Sequence, residues 1–258
     1  MISRLVVVPH PPLLVPELVS GAVAVTEPVR SACLAAAREL AAHSPDWVAV
    51  GVDPSGPRVV EGLTGTFRGF GVDVRVSLSE QAGVSLPEQP GVSLPEQSGV
   101  SLPKQAGVSL PEQSSDAEDL PLPVLTAAWL REHAGARSVR VHLVPPDLPT
   151  ADCVALGERL ADAKALLVLG DGSHRHGELA VGRPDDRAEP FDEDVRKALA
   201  TADTTALRAL DPTLAAELGA QGRAAWQVAA GVPGPWRCTR STFLAPFGVG
   251  YHVAVWEA

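Results

Sequence analysis

Ala165-Leu166-Leu167-Val168-Leu169-Gly170-Asp171-Gly172-Ser173-His174-Arg175-His176 is the stretch whose reading decides the fold. Its first five residues are all apolar and end abruptly at a glycine. A short apolar run closed by turn residues reads as a strand covered on both faces, as in a sheet lying between layers of helices. The two glycines let the chain turn sharply after it. Asp171 and His174 lie three residues apart, so a tight turn or first helical turn points both into one pocket at the strand's carboxyl end. A carboxylate beside an imidazole raises its basicity and fixes its tautomer. The plainer alternative is that Asp171 caps the turn while His174 and His176 are solvated.

Working outward, strand and helix signals alternate. Before the stretch, 152–163 has apolar residues at helical spacing and 138–144 alternates like a strand. Trp47–Val52 reads as a buried strand between Ser44-Pro45-Asp46 and Pro54-Ser55-Gly56. Residues 29–43 read as a helix and 5–8 as a short β-branched strand. After the stretch, 192–210 and 212–230 read as two helices and 251–256 as a closing strand. This alternation predicts an α/β fold: one domain over 1–258, with a mixed central sheet flanked by helices. Ligands in such sheets bind outside the carboxyl ends of strands. That rule selects three loops, 9–12, 53–57 and 170–176.

One segment departs from the pattern. Arg75-Val-Ser-Leu-Ser-Glu-Gln-Ala82 is followed by four copies of Gly-Val-Ser-Leu-Pro-(Glu/Lys)-Gln-X, ending at Ser114. An eight-residue unit is too short for a solenoid or a propeller blade. Each copy offers one valine and one leucine for burial, and its proline removes a ladder donor. The expectation is a disordered octapeptide-repeat loop, spanning 75–118 and inserted within the domain. Loop closure costs little extra as a loop lengthens, so a domain can carry it. The alternative is that the copies form a multivalent peptide ligand.

Composition narrows the function. The chain has 258 residues, 45% of them apolar, and a net charge of −10. An acidic chain does not displace counterions from phosphates, so nucleic acid is excluded as a partner, and an anionic membrane surface is disfavoured. No apolar run reaches the ~20 residues of a spanning helix. The first residues lack the apolar core of a signal peptide. The three cysteines (Cys33, Cys153, Cys238) are odd in number and scattered, which fits a reducing, cytoplasmic setting.

Two further residues stand at strand ends. His10 lies between Pro9 and Pro11, which stiffen its backbone and hold it extended. It suits a metal ligand, an acid/base or a plain turn cap. Asp53 follows the Trp47–Val52 strand, in a sequence that is also ordinary turn chemistry. The acidic run 185–194 is assigned to the N-terminus of the following helix, and His43, His133, His142 and His252 show no clustered partners. There is no phosphate-binding glycine loop, nucleophile elbow or CxxC motif. A metal-independent hydrolase using Asp171 and His174 would therefore lack an evident nucleophile.

The N-terminal Pro9-His10-Pro11, the Gly170-Asp171-Gly172-Ser173-His174 turn, Phe191-Asp192 opening a helix, Ala220-Gln221-Gly222-Arg223-Ala224-Ala225-Trp226, and the closing Gly248-Val249-Gly250-Tyr251-His252 together resemble the class III extradiol ring-cleavage dioxygenases (catalytic B subunit, LigB-like) and the related MEMO family. The resemblance spans nearly the whole chain outside the repeat. It implies a non-haem Fe(II), or another divalent metal, held by two histidines and a carboxylate that leave positions open for O2 and a catechol-type aromatic. Carried over by position, His10 is the first metal ligand, His174 the catalytic acid/base, and Asp171 an acidic partner in the same turn. His176 and Pro11 fall beside them as substrate contacts. Two positions depart from the family pattern: Asp53 stands where a second ligand histidine is expected, and Gln221 where the last ligand is expected. The sequence therefore carries two readings. One is a metal-dependent oxidoreductase with altered ligands. The other is a catalytically degenerate relative that keeps the fold and binds a small molecule or a protein. A homodimer is expected by family analogy alone.

Overall fold

The structure, a computed structural model, describes residues 1–19, 21, 23–80 and 117–258. The nine strands among them are β1 (Arg4–Val8), β2 (Asp46–Val52), β3 (Arg58–Val60), β4 (Thr64–Thr66), β5 (Arg75–Ser77), β6 (Ser138–Val144), β7 (Ala165–Leu169), β8 (Arg237–Leu244) and β9 (Tyr251–Glu257). Seven of them form one mixed sheet in the order β3-β6-β2-β7-β1-β9-β8. Its centre, β6-β2-β7-β1, is parallel, while β3, β9 and β8 run antiparallel to their neighbours.

The apolar runs are continuous because both faces of the sheet are covered. On β1, Val6 and Val8 pack with α1 (Val23–His43) and α2 (Leu122–Ala134). Leu5 and Val7 pack on the other face, against α3 (Thr150–Leu160), α4 (Ala188–Thr201), α5 (Thr204–Arg208), α6 (Pro212–Leu218) and α7 (Arg223–Gly231). The two sets alternate with the strand period of two.

The differences from expectation have local causes. The expected helix over 192–210 begins earlier, at Ala188, and breaks at Ala202, whose φ is +53°. Asp203 then caps α5 by accepting the Ala206 N–H at 2.9 Å. The expected helix over 212–230 divides at Gly219, into α6 and α7. β8 was not anticipated, because an edge strand such as Arg237-Cys-Thr-Arg-Ser-Thr-Phe-Leu244 carries polar and charged residues and a bulge between Cys238 and Arg240. Most of the expected repeat loop, 81–116, lies outside the described residues. Within 75–118 the described flanks join the fold. β5 pairs with β4, Ser79 bridges to Ser138, and Glu118 bridges to Gly65.

This topology puts a switch point at the carboxyl ends of β1 and β7. Val8 and Gly170 are still bonded, the Gly170 N–H donating to the Val8 carbonyl at 3.0 Å. Beyond that bond the β1 loop runs towards α1 on one face, and the β7 loop towards α4 on the other. Adjacent strand ends whose loops part to opposite faces are where open α/β sheets take ligands. No helix among the described residues is long and apolar enough to cross a membrane.

Candidate functional site

His10 and Asp171 follow the carboxyl ends of β1 and β7. The His10 backbone N–H donates to Asp171 Oδ1 at 2.8 Å, and its carbonyl accepts from Thr126 Oγ1 at 3.3 Å. His10 is 2% exposed. Its Nδ1 stands 3.8 Å from the same Asp171 oxygen, beyond hydrogen-bond reach, and this buried nitrogen has no hydrogen-bond partner among the described residues. Burial, and then the charge of Asp171, push the Cys33 thiol well above its ordinary value. Burial, Asp171 and Cys33 do the same to the Tyr251 hydroxyl. Both groups are therefore neutral at physiological pH.

A second cluster lies on the α4 side. Asp192 is fully buried, and its carboxylate faces His176 Nε2 at 2.6 Å, His252 Nε2 at 2.9 Å and the Ser173 N–H at 3.0 Å. Burial pushes this carboxyl up, but the hydrogen bonds from His176 and His252, and attraction to their charge, outweigh it and leave the pKa below its ordinary value. Gly172 is required here, because a Cβ on it would fall 2.4 Å from Asp192 Oδ1. His252 is enclosed by Phe243, at 4.7 Å between ring centres, and by the edge of Trp226, at 5.5 Å.

The remaining expected residues point elsewhere. His174 bonds through Nδ1 to the Val181 carbonyl at 2.9 Å. Its Nε2 lies against Gly219, where a Cβ would come within 1.9 Å and where φ is +65°. The Asp53 carboxylate accepts the Ser55 N–H at 2.9 Å and its hydroxyl at 2.5 Å, an Asx turn closed on itself. Gln221 is exposed in the α6–α7 turn, although the neighbouring Gly222 N–H reaches the Asp171 carbonyl at 2.8 Å. Pro11 is buried, and its carbonyl accepts the Leu14 N–H at 3.2 Å. Among the described residues no group of three or more His, Cys, Asp or Glu side chains is arranged to hold a metal ion.

The structure thus brings His10 to Asp171, and takes His176 to Asp192 rather than to His174. Sequence reasoning missed three members of these clusters. Asp192 was assigned to a helix terminus, yet it is buried and serves two imidazoles. His252 was read as lacking partners, yet it bonds to that carboxylate. Cys33 was read only as one of three scattered cysteines. The available signal was the Gly250-Tyr251-His252 strand end, since glycine beside two polar aromatic residues in an otherwise apolar strand marks a close approach.

No family model matches the chain, and no curated protein matches it. Among solved structures, an uncharacterized protein of Escherichia coli K12, JW3007, is similar at 13% identity with a TM-score of 0.48. The match covers 99% of this chain and 100% of that one.

Proposed function

We propose that the chain is a relative of the class III extradiol dioxygenases that binds a small hydroxylated aromatic at the β1/β7 switch point without iron-dependent ring cleavage. The observation that carries this reading is the His10 imidazole, buried with an unpartnered Nδ1 beside the Asp171 carboxylate. A buried nitrogen left unsatisfied costs about 1–3 kcal/mol. A phenolic hydroxyl supplies the missing partner, and the adjacent carboxylate accepts a second.

The residues present do not fit the metal that the resemblance implies. His10 contributes one imidazole, Asp53 is committed to Ser55, and Gln221 offers at best a weak amide oxygen on an exposed turn. Fe(II) needs firmer donors than this set. His10 and Asp171 therefore act as hydrogen-bonding anchors, and Pro9 and Pro11 hold the His10 backbone in place.

The test combines elemental analysis and Fe(II), Mn(II) and Zn(II) titrations of anaerobically purified protein with calorimetric titration of catechol, on wild type and His10→Ala. Catechol binding in metal-free protein that weakens at least tenfold in His10→Ala supports the proposal. Stoichiometric metal that disappears in His10→Ala overturns it in favour of a metal-dependent oxidoreductase.

A further inference from the structure

A separate pocket of about 560 Å³ opens between the loop after β6 and the α6–α7 turn. Pro146, Pro212, Ala215, Ala216 and Ala220 make most of its wall apolar, and Arg223 contributes the cation. Its size and its mostly apolar wall with few polar groups are those of a small-molecule site.

Arg223 is the unusual element. It is 2% exposed, and every bond it makes among the described residues goes to a neutral oxygen. Nη1 donates to the Leu148 carbonyl at 2.7 Å and to Gln227 Oε1 at 3.0 Å, and Nη2 donates to the Pro146 carbonyl. These contacts use three of its five N–H donors and do not neutralise its charge. Buried charges are normally paired, because an unpaired one forfeits hydration without a Coulombic return. Each of the other two buried arginines, Arg30 and Arg131, has a carboxylate, from Glu27 and Glu132. Arg223 also opens α7, whose first turn has no side-chain cap, so the positive end of that helix adds to the field. The pocket's one carboxylate, on Asp147, belongs to an exposed residue and forms no ion pair with Arg223 among the described residues.

We propose that this pocket binds a small carboxylate with an apolar body, its anionic end at Arg223. The binding is independent of His10, so failure here leaves the switch-point reading standing, and the reverse holds too.

Benzoate and its neutral isostere benzamide are titrated into the wild-type chain by calorimetry. Two variants are titrated in parallel. Arg223→Gln removes the charge, and Ala216→Trp fills the pocket from an exposed wall position without touching the Arg223 contacts. Saturable benzoate binding at least tenfold tighter than benzamide, and lost in Ala216→Trp, supports the proposal. Arg223→Gln is then expected to weaken benzoate by about tenfold or more, the loss of one charge-assisted hydrogen bond. Equal affinity for the two probes, absence of binding at millimolar concentration, or binding unchanged in Ala216→Trp overturns it. The wild-type and Ala216→Trp results decide the matter even where Arg223→Gln fails to fold.

Discussion

Asp192 and Asp171 stand on the same edge of one sheet, each beside imidazole, and they are satisfied to very different degrees. Asp192 is out of contact with water and receives two imidazole nitrogens and a backbone N–H. Asp171 is partly open, takes one backbone N–H from His10, and leaves the nearby His10 Nδ1 without a partner. A fully satisfied buried network rigidifies the loops it joins, here the β7 loop, the start of α4 and the beginning of β9. An unsatisfied one adds nothing to stability and persists where something else completes it. The difference separates a cluster that builds the strand-end loops from a cluster that they present.

The comparison breaks first at Asp192. Asp192→Ala leaves the buried His252 imidazole, the half-buried His176 imidazole and the Ser173 N–H without their acceptor, and an expected loss of about 3–5 kcal/mol follows from orphaning a buried charged pair. Guanidinium denaturation measures it. A loss under about 1 kcal/mol would mean that the cluster is not structural and that the contrast with Asp171 is empty. Gly172→Ala tests the same cluster from its backbone, since the new Cβ would lie 2.4 Å from Asp192 Oδ1 and 2.8 Å from the Gly250 carbonyl. Overpacking of this kind costs about 1–3 kcal/mol. Acid gives a smaller, graded version, because protonation keeps the side chain's volume. The folded pKa of Asp192 lies below its ordinary 3.8. Its contribution is therefore fully present above that value and is lost as pH falls through the lower, folded one. Denaturation midpoints taken between pH 5 and pH 2 (about the range of carboxylate titration) should fall less steeply in Asp192→Asn than in wild type.

The sheet was far more legible in the sequence than the sites. The β7 bounds follow directly from 165–169, because burial on both faces writes itself as an apolar run, and the β6 bounds from 138–144, whose apolar residues alternate with exposed or half-buried ones. The helix breaks at Ala202 and Gly219 were invisible, since alanine at positive φ is a tertiary outcome and glycine is tolerated within helices. At the sites, proximity in sequence misled. Asp171 and His174 are three apart, yet the β7 loop turns His174 to Val181, 7 residues on, and His176 to Asp192, 16 residues on. The His10 pairing crosses 161 residues and depends on the register of β1 with β7. A sequence without aligned strands does not state that register.

The smallest expected effect is the sharpest test of the contrast. His10→Phe keeps the ring's approximate volume, leaves the backbone N–H on Asp171, and replaces the unpartnered Nδ1 with carbon. Where a buried polar atom has no partner, its removal relieves a cost rather than breaking a bond. Stability by denaturation should therefore stay within about 1 kcal/mol of wild type, on either side, while catechol binding is lost. That pairing of outcomes is the mark of a group retained for a ligand. A fall of more than about 2 kcal/mol would mean that the His10 imidazole is held by contacts as firm as those around Asp192. The two clusters would then be alike in kind, and the switch point would lose its claim to be the binding site.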